Sequence, residues 1–360
     1  MIEIMDIVAD GHRITREEAL GLFEYAGLSD LGVAASALCD KLHPEPARTY
    51  VIDRNINFTN ICVSGCKFCA FFRPPGHPEG YVLSTEEVLE KVSEAVELGA
   101  TELLMQGGLH PGLKIEFYED LFRAIKAKYS VQIHSLSAPE VVHIADTSGL
   151  DIKTTLSRLK DAGLDSLPGG GAEILVNSVR VLVSPGKASV EEWLEVMETA
   201  AELGMRATAT MVFGHIESMK DRVEHLMTIR GLQDRTGVFT AFIPWTYQPG
   251  NTILGGNTVG GHDYLRALAI SRLVLDNIPN IQASWVTQGD AVAQIALRFG
   301  ANDIGSTMIE ENVVAAAGCR FRLSEEQLIE LIHGAGFDAA QRDTQYKILR
   351  RYNRKSNENL

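Results

Sequence analysis

The sequence alternates short β-rich segments with helical segments along most of its length, and this alternation limits the possible folds more than any other feature. Eight segments are predicted as strands, and they cover residues 56–59, 102–106, 131–135, 165–168, 206–211, 238–243, 281–285 and 303–306. Seven helices are predicted between them. Two begin at capping boxes, Ser84 with Glu87 and Ser189 with Glu192, whose side chains satisfy free N–H groups. Alternation over roughly 250 residues predicts an α/β fold, a (β/α)8 barrel of the TIM type.

An open, doubly wound parallel sheet is the alternative fold. Such a sheet binds dinucleotides through a G-x-G-x-x-G segment that follows a strand. None of the predicted strands is followed by that segment, so the sequence favours the barrel.

The two ends of the chain are predicted to be helical additions to the barrel. Residues 1–50 form a short helical lead-in, in which Thr15 and Glu18 make another capping pair and which we expect to wrap the barrel. Residues 51–318 form the barrel itself. Residues 319–360 form a C-terminal extension that is predicted to be helical after Ser324.

The charge of the chain limits its partners. Lysine and arginine number 33 against 47 aspartates and glutamates, so the formal net charge is −14. A surface this negative repels nucleic acid and anionic membranes. No apolar run reaches the roughly 18 residues that span a membrane, and no secretory signal is recognised at the start of the sequence. We therefore expect a cytoplasmic protein that binds neither nucleic acid nor membrane.

Three of the five cysteines are crowded into one loop. Five is too few, and an odd number, for a disulfide scaffold. Cys62, Cys66 and Cys69 follow the first strand with the spacing C-x3-C-x2-C, whereas Cys39 and Cys319 stand alone. A zinc site needs a fourth ligand, for which His77 is available, and an electron-transfer [4Fe–4S] cluster needs four cysteines. Three thiolates on a four-iron cluster leave one iron open.

The cysteine loop resembles that of the radical S-adenosylmethionine superfamily, which has this spacing and an aromatic residue, here Phe68, before the third cysteine. The resemblance implies a [4Fe–4S] cluster whose open iron is chelated by the amino and carboxylate groups of S-adenosylmethionine, with Phe68 beside the adenine. An external one-electron reductant reduces the cluster. The reduced cluster then cleaves the cofactor to methionine and a 5′-deoxyadenosyl radical, while the protein positions the cofactor and excludes water.

The same resemblance implies further contacts with S-adenosylmethionine. Gly107 and Gly108, at the end of the second strand, receive the methionine amino group, and Glu173 holds the ribose hydroxyls. Glu217 ends a segment that lies beside the adenine in the family. Thr210 replaces the first glycine of that segment, which weakens the match there. Ser137, after the third strand, is a further candidate.

Longer stretches resemble one family within the superfamily, the dehypoxanthine futalosine cyclases of the futalosine route to menaquinone. These stretches are 54–60, 69–81, 168–173, 241–251, 280–288 and 308–312. The resemblance implies a small-molecule substrate, dehypoxanthine futalosine, from whose sugar the radical takes the C4′ hydrogen. The C4′ radical then adds to the attached benzoate ring, and loss of an electron and a proton gives the spirocyclic product.

Such a site needs polar groups for sugar hydroxyls, an aromatic wall and a cation for the carboxylate. The candidates for substrate contact follow the first, sixth, seventh and eighth strands: Arg73, Trp245, Gln248, Asn251, Trp285, Gln288, Glu310, Glu311 and Asn312. Arg73 is the candidate carboxylate partner. The sequence does not identify the base that accepts the final proton.

Three alternatives to the cyclase remain. Aminofutalosine synthase and the deazaflavin-forming synthase share the cysteine spacing and much of the barrel, although the stretch 70–80 favours the cyclase. A non-catalytic iron–sulfur electron carrier has no use for an open iron or a large barrel. A zinc-binding structural protein is the third alternative.

Overall fold

The computed structural model describes residues 11–354, and its centre is a parallel α/β-barrel. The strands in chain order are β1 (Ala47–Val51), β2 (Asp53–Ile56), β3 (Glu102–Met105), β4 (Gln132–Ser135), β5 (Ser166–Leu167), β6 (Arg206–Phe213), β7 (Phe239–Thr246), β8 (Asn280–Ile281), β9 (Asp303–Ser306), β10 (Asp338–Arg342) and β11 (Ile348–Tyr352). Strands β2 to β8 form one seven-stranded parallel sheet in sequential order.

Strand β9 closes this sheet into a barrel. On one side, Gln282 just after β8 pairs with Asp303. On the other side, β9 pairs in parallel with β1, and the Ile309 N–H donates to the Asp53 carbonyl oxygen at 3.2 Å. Because Ile52 alone separates β1 from β2, the two form one extended wall segment. The predicted α/β-barrel is therefore confirmed.

The helices surround the barrel, and most begin where the sequence predicts. In chain order they are α1 (Arg16–Tyr25), α2 (Leu28–Leu42), α3 (Thr85–Glu97), α4 (Ile115–Lys128), α5 (Ala138–Ser148), α6 (Ile152–Ala162), α7 (Asn177–Val183), α8 (Val190–Glu202), α9 (Met219–Thr236), α10 (Gly261–Val274), α11 (Trp285–Gln288), α12 (Asp290–Ala296), α13 (Val313–Ala316) and α14 (Glu325–Gly334). The capping boxes at Thr15, Ser84 and Ser189 all form. Helices α5, α7, α11 and α13 were not predicted.

The C-terminal extension departs from the prediction because it is helical only in α14. Strand β10 pairs in parallel with β1, from Ala47 with Asp338 to Tyr50 with Gln341, and β11 pairs antiparallel with β10. The first half of the β1–β2 segment has no neighbour from β3, so β10 fills an edge that would otherwise leave backbone groups unpaired.

The lead-in helices pack against helices on the outside of the barrel. Helix α2 packs against α10, and α1 packs against α9 and α10. Arg13 also donates to Asp234 at 2.7 Å and to Asp276 at 2.9 Å. None of the helices within residues 11–354 is long and apolar enough to cross a membrane.

Candidate active site

The interior of the barrel is hollow, and its lining mixes polar and charged side chains with apolar ones. A cavity of about 380 Å³ occupies it, lined by side chains from the strands and from the loops that follow them. Along the first wall segment Asp53, Asn55 and Asn57 all line this cavity because alternate residues of a strand face the same side. Barrels of this type are usually filled by branched apolar side chains, so a cavity lined by acids and amides indicates a binding site.

The cysteine-bearing loop between β2 and α3 forms one wall of the cavity. Cys62, Cys66 and Cys69 all line it. The loop turns at Gly65, whose φ of +63° lies in the left-handed region that glycine adopts without strain. The Lys67 N–H donates to the Val183 carbonyl oxygen at 2.8 Å, and the Leu254 N–H donates to the Lys67 carbonyl oxygen at 2.8 Å. The end of α7 and the loop after β7 therefore hold the cysteine loop in place.

The surroundings of the thiols fit a soft metal group. Burial raises the pKa of the Cys62 and Cys69 thiols, so the thiolates need a nearby positive charge. Lys187 supplies one beside Cys66, and the Ser64 hydroxyl contacts the Cys66 sulfur at 2.7 Å. The iron ions of a cluster bound to these sulfurs would supply further positive charge.

The geometry does not support the zinc alternative. Among residues 11–354, no three His, Cys, Asp or Glu side chains lie close enough together to hold a single ion. His77 does not line the cavity, and its Nδ1 accepts the Glu79 N–H at 3.1 Å. His77 therefore does not complete a zinc site with the three cysteines that line the cavity.

The two glycines after β3 let this strand end approach the cysteine loop. A Cβ atom on Gly108 would collide with the Ile61 carbonyl oxygen and with Cys62, and one on Gly107 would collide with the Phe58 ring. The Gly107 N–H donates to Glu140 at 2.8 Å. Both glycines line the cavity and leave space beside the thiols.

Ser137 and Phe68 also line the cavity. The Ser137 hydroxyl donates to the buried Glu140 carboxylate at 2.6 Å, which orients it at the start of α5. The Phe68 ring lies 5.1 Å from the Lys187 ammonium group, at a distance that permits a cation–π contact.

Glu173 forms a buried ion pair with Lys187, and both residues line the cavity. Burial acts to raise the pKa of Glu173, but the adjacent Lys187 ammonium outweighs it, so this pKa is lowered. Glu173 has a φ of +43°, an unfavourable conformation for a residue with a side chain. Such strain persists at functional sites where the surroundings enforce it.

Sequence reasoning missed Lys187. It lies in the loop after α7, and its only signal is a Pro-Gly-Lys turn in a segment with no predicted element. Burial acts to lower the pKa of Lys187, but the negative charges of Cys66 and Glu173 raise it above its usual value. The ammonium group therefore stays charged inside the cavity.

Three of the substrate candidates line the cavity, namely Trp245, Gln248 and Glu311. The Glu311 carboxylate also accepts backbone N–H groups at the start of α13, among them the Val314 N–H at 2.8 Å. Burial raises the pKa of Glu311. Gln248 is oriented by Thr246, whose hydroxyl oxygen accepts its amide at 3.2 Å.

The other candidates lie outside the cavity lining and hold the surrounding loops. Arg73 pairs with Glu79 at 2.7 Å, so the expectation that it meets the substrate carboxylate has no support from the geometry. Glu310 binds Arg54 at 2.8 Å and Lys91 at 2.9 Å, and it accepts the Asn312 amide at 2.8 Å.

Asn251, Trp285 and Gln288 likewise make structural contacts. Asn251 donates to the Ala316 carbonyl oxygen at 2.9 Å, and Gln288 donates to the Thr246 hydroxyl at 2.7 Å. Trp285 was predicted to end a strand, but it opens α11, is buried, and donates its indole N–H to the Ser306 carbonyl oxygen at 3.0 Å.

Glu217, expected beside the adenine, does not line the cavity. Its carboxylate accepts the Gly214 N–H at 2.7 Å and the His215 N–H at 2.9 Å, and it pairs with Arg222 at 2.7 Å. Glu217 therefore shapes the turn after β6, and any effect on a bound adenine passes through that turn.

Polar residues deep in the barrel were also missed. Asp53 and Glu102 are paired across β2 and β3, and both line the cavity. Burial, aided by the negative charge of Glu102, raises the pKa of Asp53 to about 7. The sequence held a signal for Asp53, because positions 53, 55 and 57, which face the same side of a strand in the barrel wall, are all polar.

A hollow α/β-barrel with a three-cysteine loop facing a polar cavity has the architecture of an enzyme that binds a redox cofactor and a small substrate. Residues 56–229 match the model of the radical SAM superfamily, and residues 236–355 match the model of the CofH/MqnC C-terminal region. The chain belongs to the radical S-adenosylmethionine superfamily of enzymes, in the branch that carries the CofH/MqnC C-terminal region.

Curated relatives resemble the chain over nearly its whole length. It is 47% identical to a cyclic dehypoxanthine futalosine synthase of Halalkalibacterium halodurans, over 97% of this chain and 95% of the relative. A protein of the same name from Streptomyces coelicolor is also 47% identical, over 96% of this chain and 88% of the relative. A 5-amino-6-(D-ribitylamino)uracil–L-tyrosine 4-hydroxyphenyl transferase of Methanothermobacter thermautotrophicus is 44% identical, over 93% and 94%.

Solved structures agree on the fold. Methylornithine synthase (PylB) superimposes with a TM-score of 0.72 at 18% identity, covering 93% of this chain and 96% of its own. The hydrogenase maturase HydG of Carboxydothermus hydrogenoformans gives a TM-score of 0.74 at 16% identity, covering 95% of this chain and 80% of its own.

Proposed function

We propose that the chain is a radical S-adenosylmethionine enzyme that cyclises dehypoxanthine futalosine to cyclic dehypoxanthine futalosine in menaquinone biosynthesis. The observation that carries this proposal is the 47% identity, over nearly the whole chain, to two synthases of that name. The reaction needs an external one-electron reductant. We assign the protein to the cytoplasm.

Cys62, Cys66 and Cys69 would hold a [4Fe–4S] cluster, leaving one iron for S-adenosylmethionine. When bound, the pair would supply a 5′-deoxyadenosyl radical for removal of the C4′ hydrogen of the sugar. The open strand end at Gly108 leaves room for the methionine part, and Glu173 and Phe68 are available to the ribose and adenine. Lys187 keeps a positive charge beside Cys66, which supports an anionic group there.

The substrate would lie inside the barrel, where Trp245, Gln248 and Glu311 line the cavity. A reactive radical must meet a single C–H bond, so the walls have to hold the substrate in one orientation. Trp245 offers a flat apolar surface to the benzoate ring, and Gln248 offers an amide to polar groups.

The test is an anaerobic assay of the iron-loaded enzyme with S-adenosylmethionine and a reductant. We expect 5′-deoxyadenosine and cyclic product when dehypoxanthine futalosine is added. Relatives named 4-hydroxyphenyl transferases are 40–45% identical, so a parallel assay uses 5-amino-6-(D-ribitylamino)uracil with L-tyrosine. Turnover of that pair, with dehypoxanthine futalosine left unchanged, would overturn the proposal.

Two measurements address the non-catalytic alternatives. Electron paramagnetic resonance of the reduced protein should change when S-adenosylmethionine is added, because the cofactor binds the open iron. An unchanged spectrum would instead support an electron carrier. Elemental analysis of protein kept anaerobic throughout should find iron, and zinc without iron would support the structural alternative.

A further inference from the structure

The deep end of the cavity is closed by the turn between β10 and β11. Arg342, Thr344 and Tyr346 from this turn line the cavity. Asp343 holds the turn, because its carboxylate accepts the N–H groups of Gln345 and Lys347, each at 2.9 Å. We call Arg342, Thr344 and Tyr346, together with the facing Asp53, Glu102 and His134, the floor of the cavity.

Two hydroxyl groups of the floor have no hydrogen-bond partner. The Tyr346 hydroxyl oxygen and the Thr344 Oγ1 are both buried and unpartnered in the described structure. Thr344 as a whole is only 6% exposed. A buried polar group without a partner is unfavourable by about 1–3 kcal/mol, so each of these hydroxyls calls for an explanation, and a ligand in the cavity that they line is one.

The backbone at Tyr346 is strained as well. Its φ of +63° lies in the left-handed region, which is unfavourable for a bulky residue. The strain brings the ring over the Arg342 guanidinium, at 4.0 Å, and into the barrel. Strain held by a well-ordered turn at a cavity is typical of a binding site.

The other side of the floor offers hydrogen-bond acceptors. Asp53 and Glu102 lie on adjacent strands, and His134 follows on the next. The Arg342 guanidinium is bonded to Asp303 at 2.6 and 3.1 Å, and its positive charge also acts on Asp53 and Glu102. Asp53 already accepts one hydrogen bond from the Ser306 hydroxyl. Burial lowers the pKa of His134, so the imidazole is neutral and has both a donor and an acceptor nitrogen.

The walls nearer the cysteine loop are more apolar. They include Ile243, Trp245 and Met308 and the Phe72 ring. The cavity is therefore divided between a floor that mixes hydroxyl donors with carboxylate acceptors and an upper part suited to an aromatic ring.

We propose that the floor binds the hydroxyl groups of the sugar end of the substrate, which leaves the C4′–H bond and the aromatic ring side by side above, toward Trp245 and the cysteine loop. A sugar hydroxyl donates to a carboxylate and accepts from a Tyr or Thr hydroxyl, which matches the groups on the two sides of the floor. A benzoate carboxylate has no proton to donate, so it cannot use the carboxylate acceptors of the floor. This inference rests on the proposed function only for the identity of the sugar-bearing substrate.

The test uses calorimetric titration of the anaerobic, iron-loaded enzyme with dehypoxanthine futalosine and, separately, with benzoate. Tyr346→Phe and Thr344→Val each remove one unpartnered hydroxyl with little change of shape. We expect each to weaken binding of dehypoxanthine futalosine roughly tenfold and to leave benzoate binding unchanged. Melting temperatures should stay the same or rise, because no bond within the protein is lost.

Two control variants match these changes. Thr307→Val also removes a buried, unpartnered hydroxyl, but Thr307 does not line the cavity. Tyr352→Phe removes a tyrosine hydroxyl that donates to Glu325 on the outer surface of the barrel. Neither should change substrate binding. If Tyr346→Phe does not fold, Thr344→Val decides the matter.

The inference is overturned if the folded floor variants bind dehypoxanthine futalosine as tightly as the native enzyme, or if they lose benzoate binding equally. If the native enzyme does not bind dehypoxanthine futalosine, the proposed function has failed, and 5-amino-6-(D-ribitylamino)uracil becomes the probe. Weaker binding of this polyol by the floor variants would then support the inference that the floor binds hydroxyl groups of the substrate. Unchanged binding would overturn that inference.

Discussion

At the scale of single residues, the site depends on charges buried in pairs. Glu173 and Lys187 neutralise each other inside the cavity, and Asp303 and Arg342 do so at its floor. Asp53 and Glu102 share one sign, so one of them takes up a proton near neutral pH. A buried pair adds little net stability, but removal of one partner leaves a charge without compensation.

Lys187→Met should therefore destabilise the protein by about 3–5 kcal/mol, because it leaves the Glu173 carboxylate buried and unpaired. Adding Glu173→Gln should recover most of this loss without restoring S-adenosylmethionine binding. Denaturant unfolding measures the first effect and calorimetric titration of the cofactor the second. A single variant as stable as the native protein would contradict the role of the ion pair.

Asp53 should make stability depend on pH. Its pKa is raised in the folded protein from 3.8 to about 7, so the folded state keeps a proton that the unfolded state has lost between these values. The unfolding free energy should therefore fall as pH rises from about 4 to 7, by up to about 4 kcal/mol at 1.36 kcal/mol per pH unit.

The variant Asp53→Asn isolates this effect, since asparagine does not titrate. Its unfolding free energy, measured in denaturant from pH 4 to 8, should change less with pH than that of the native protein. Two parallel pH curves would mean that Asp53 holds no extra proton in the folded state.

At the scale of elements, helix starts were the most predictable features because capping is local. Ser84 accepts the Glu87 N–H, and Glu87 reaches back to the Ser84 N–H at 2.7 Å, all within four residues of sequence. Strand β10 is the opposite case, because its place beside β1 depends on residues about 290 positions away along the chain.

Ser84→Ala should destabilise the protein by about 1 kcal/mol through loss of the cap of α3. Ser93→Ala in the same helix is the matched control. Ser93 contacts only Glu97, at 3.5 Å, so we expect a change within about 0.5 kcal/mol. Thermal unfolding of both variants checks the difference, and equal losses would mean that the cap contributes nothing.

At the scale of the whole molecule, the cysteine loop joins separate parts of the barrel. It bonds to Val183, the last residue of α7, and to Leu254, in the loop after β7. A cluster that binds only the folded loop should stabilise all three segments together, because a group that binds only the native state shifts the folding equilibrium toward it.

Hydrogen exchange should reveal this coupling. Loading with iron and sulfide should slow exchange at residues 62–72, 183–187 and 251–255 and raise the melting temperature, while β3 and β6 change little. Cys66→Ser should abolish the effect, and Cys319→Ser should preserve it, because Cys319 is not among the cysteines that line the cavity. Protection confined to residues 62–72 would argue against coupling between the loops.

The sequence by itself determined the strand–helix alternation, the capping boxes and the three-cysteine loop, because each is encoded by residues close together in the chain. It also identified Gly107, Gly108 and Glu173, which line the cavity. Only the tertiary structure decided which of the polar residues after each strand face inward. Arg73, Glu310 and Asn251 found partners in neighbouring loops instead. The tertiary structure also decided that Lys187, Thr344 and Tyr346 reach the cavity, since their positions follow from packing between segments distant in sequence.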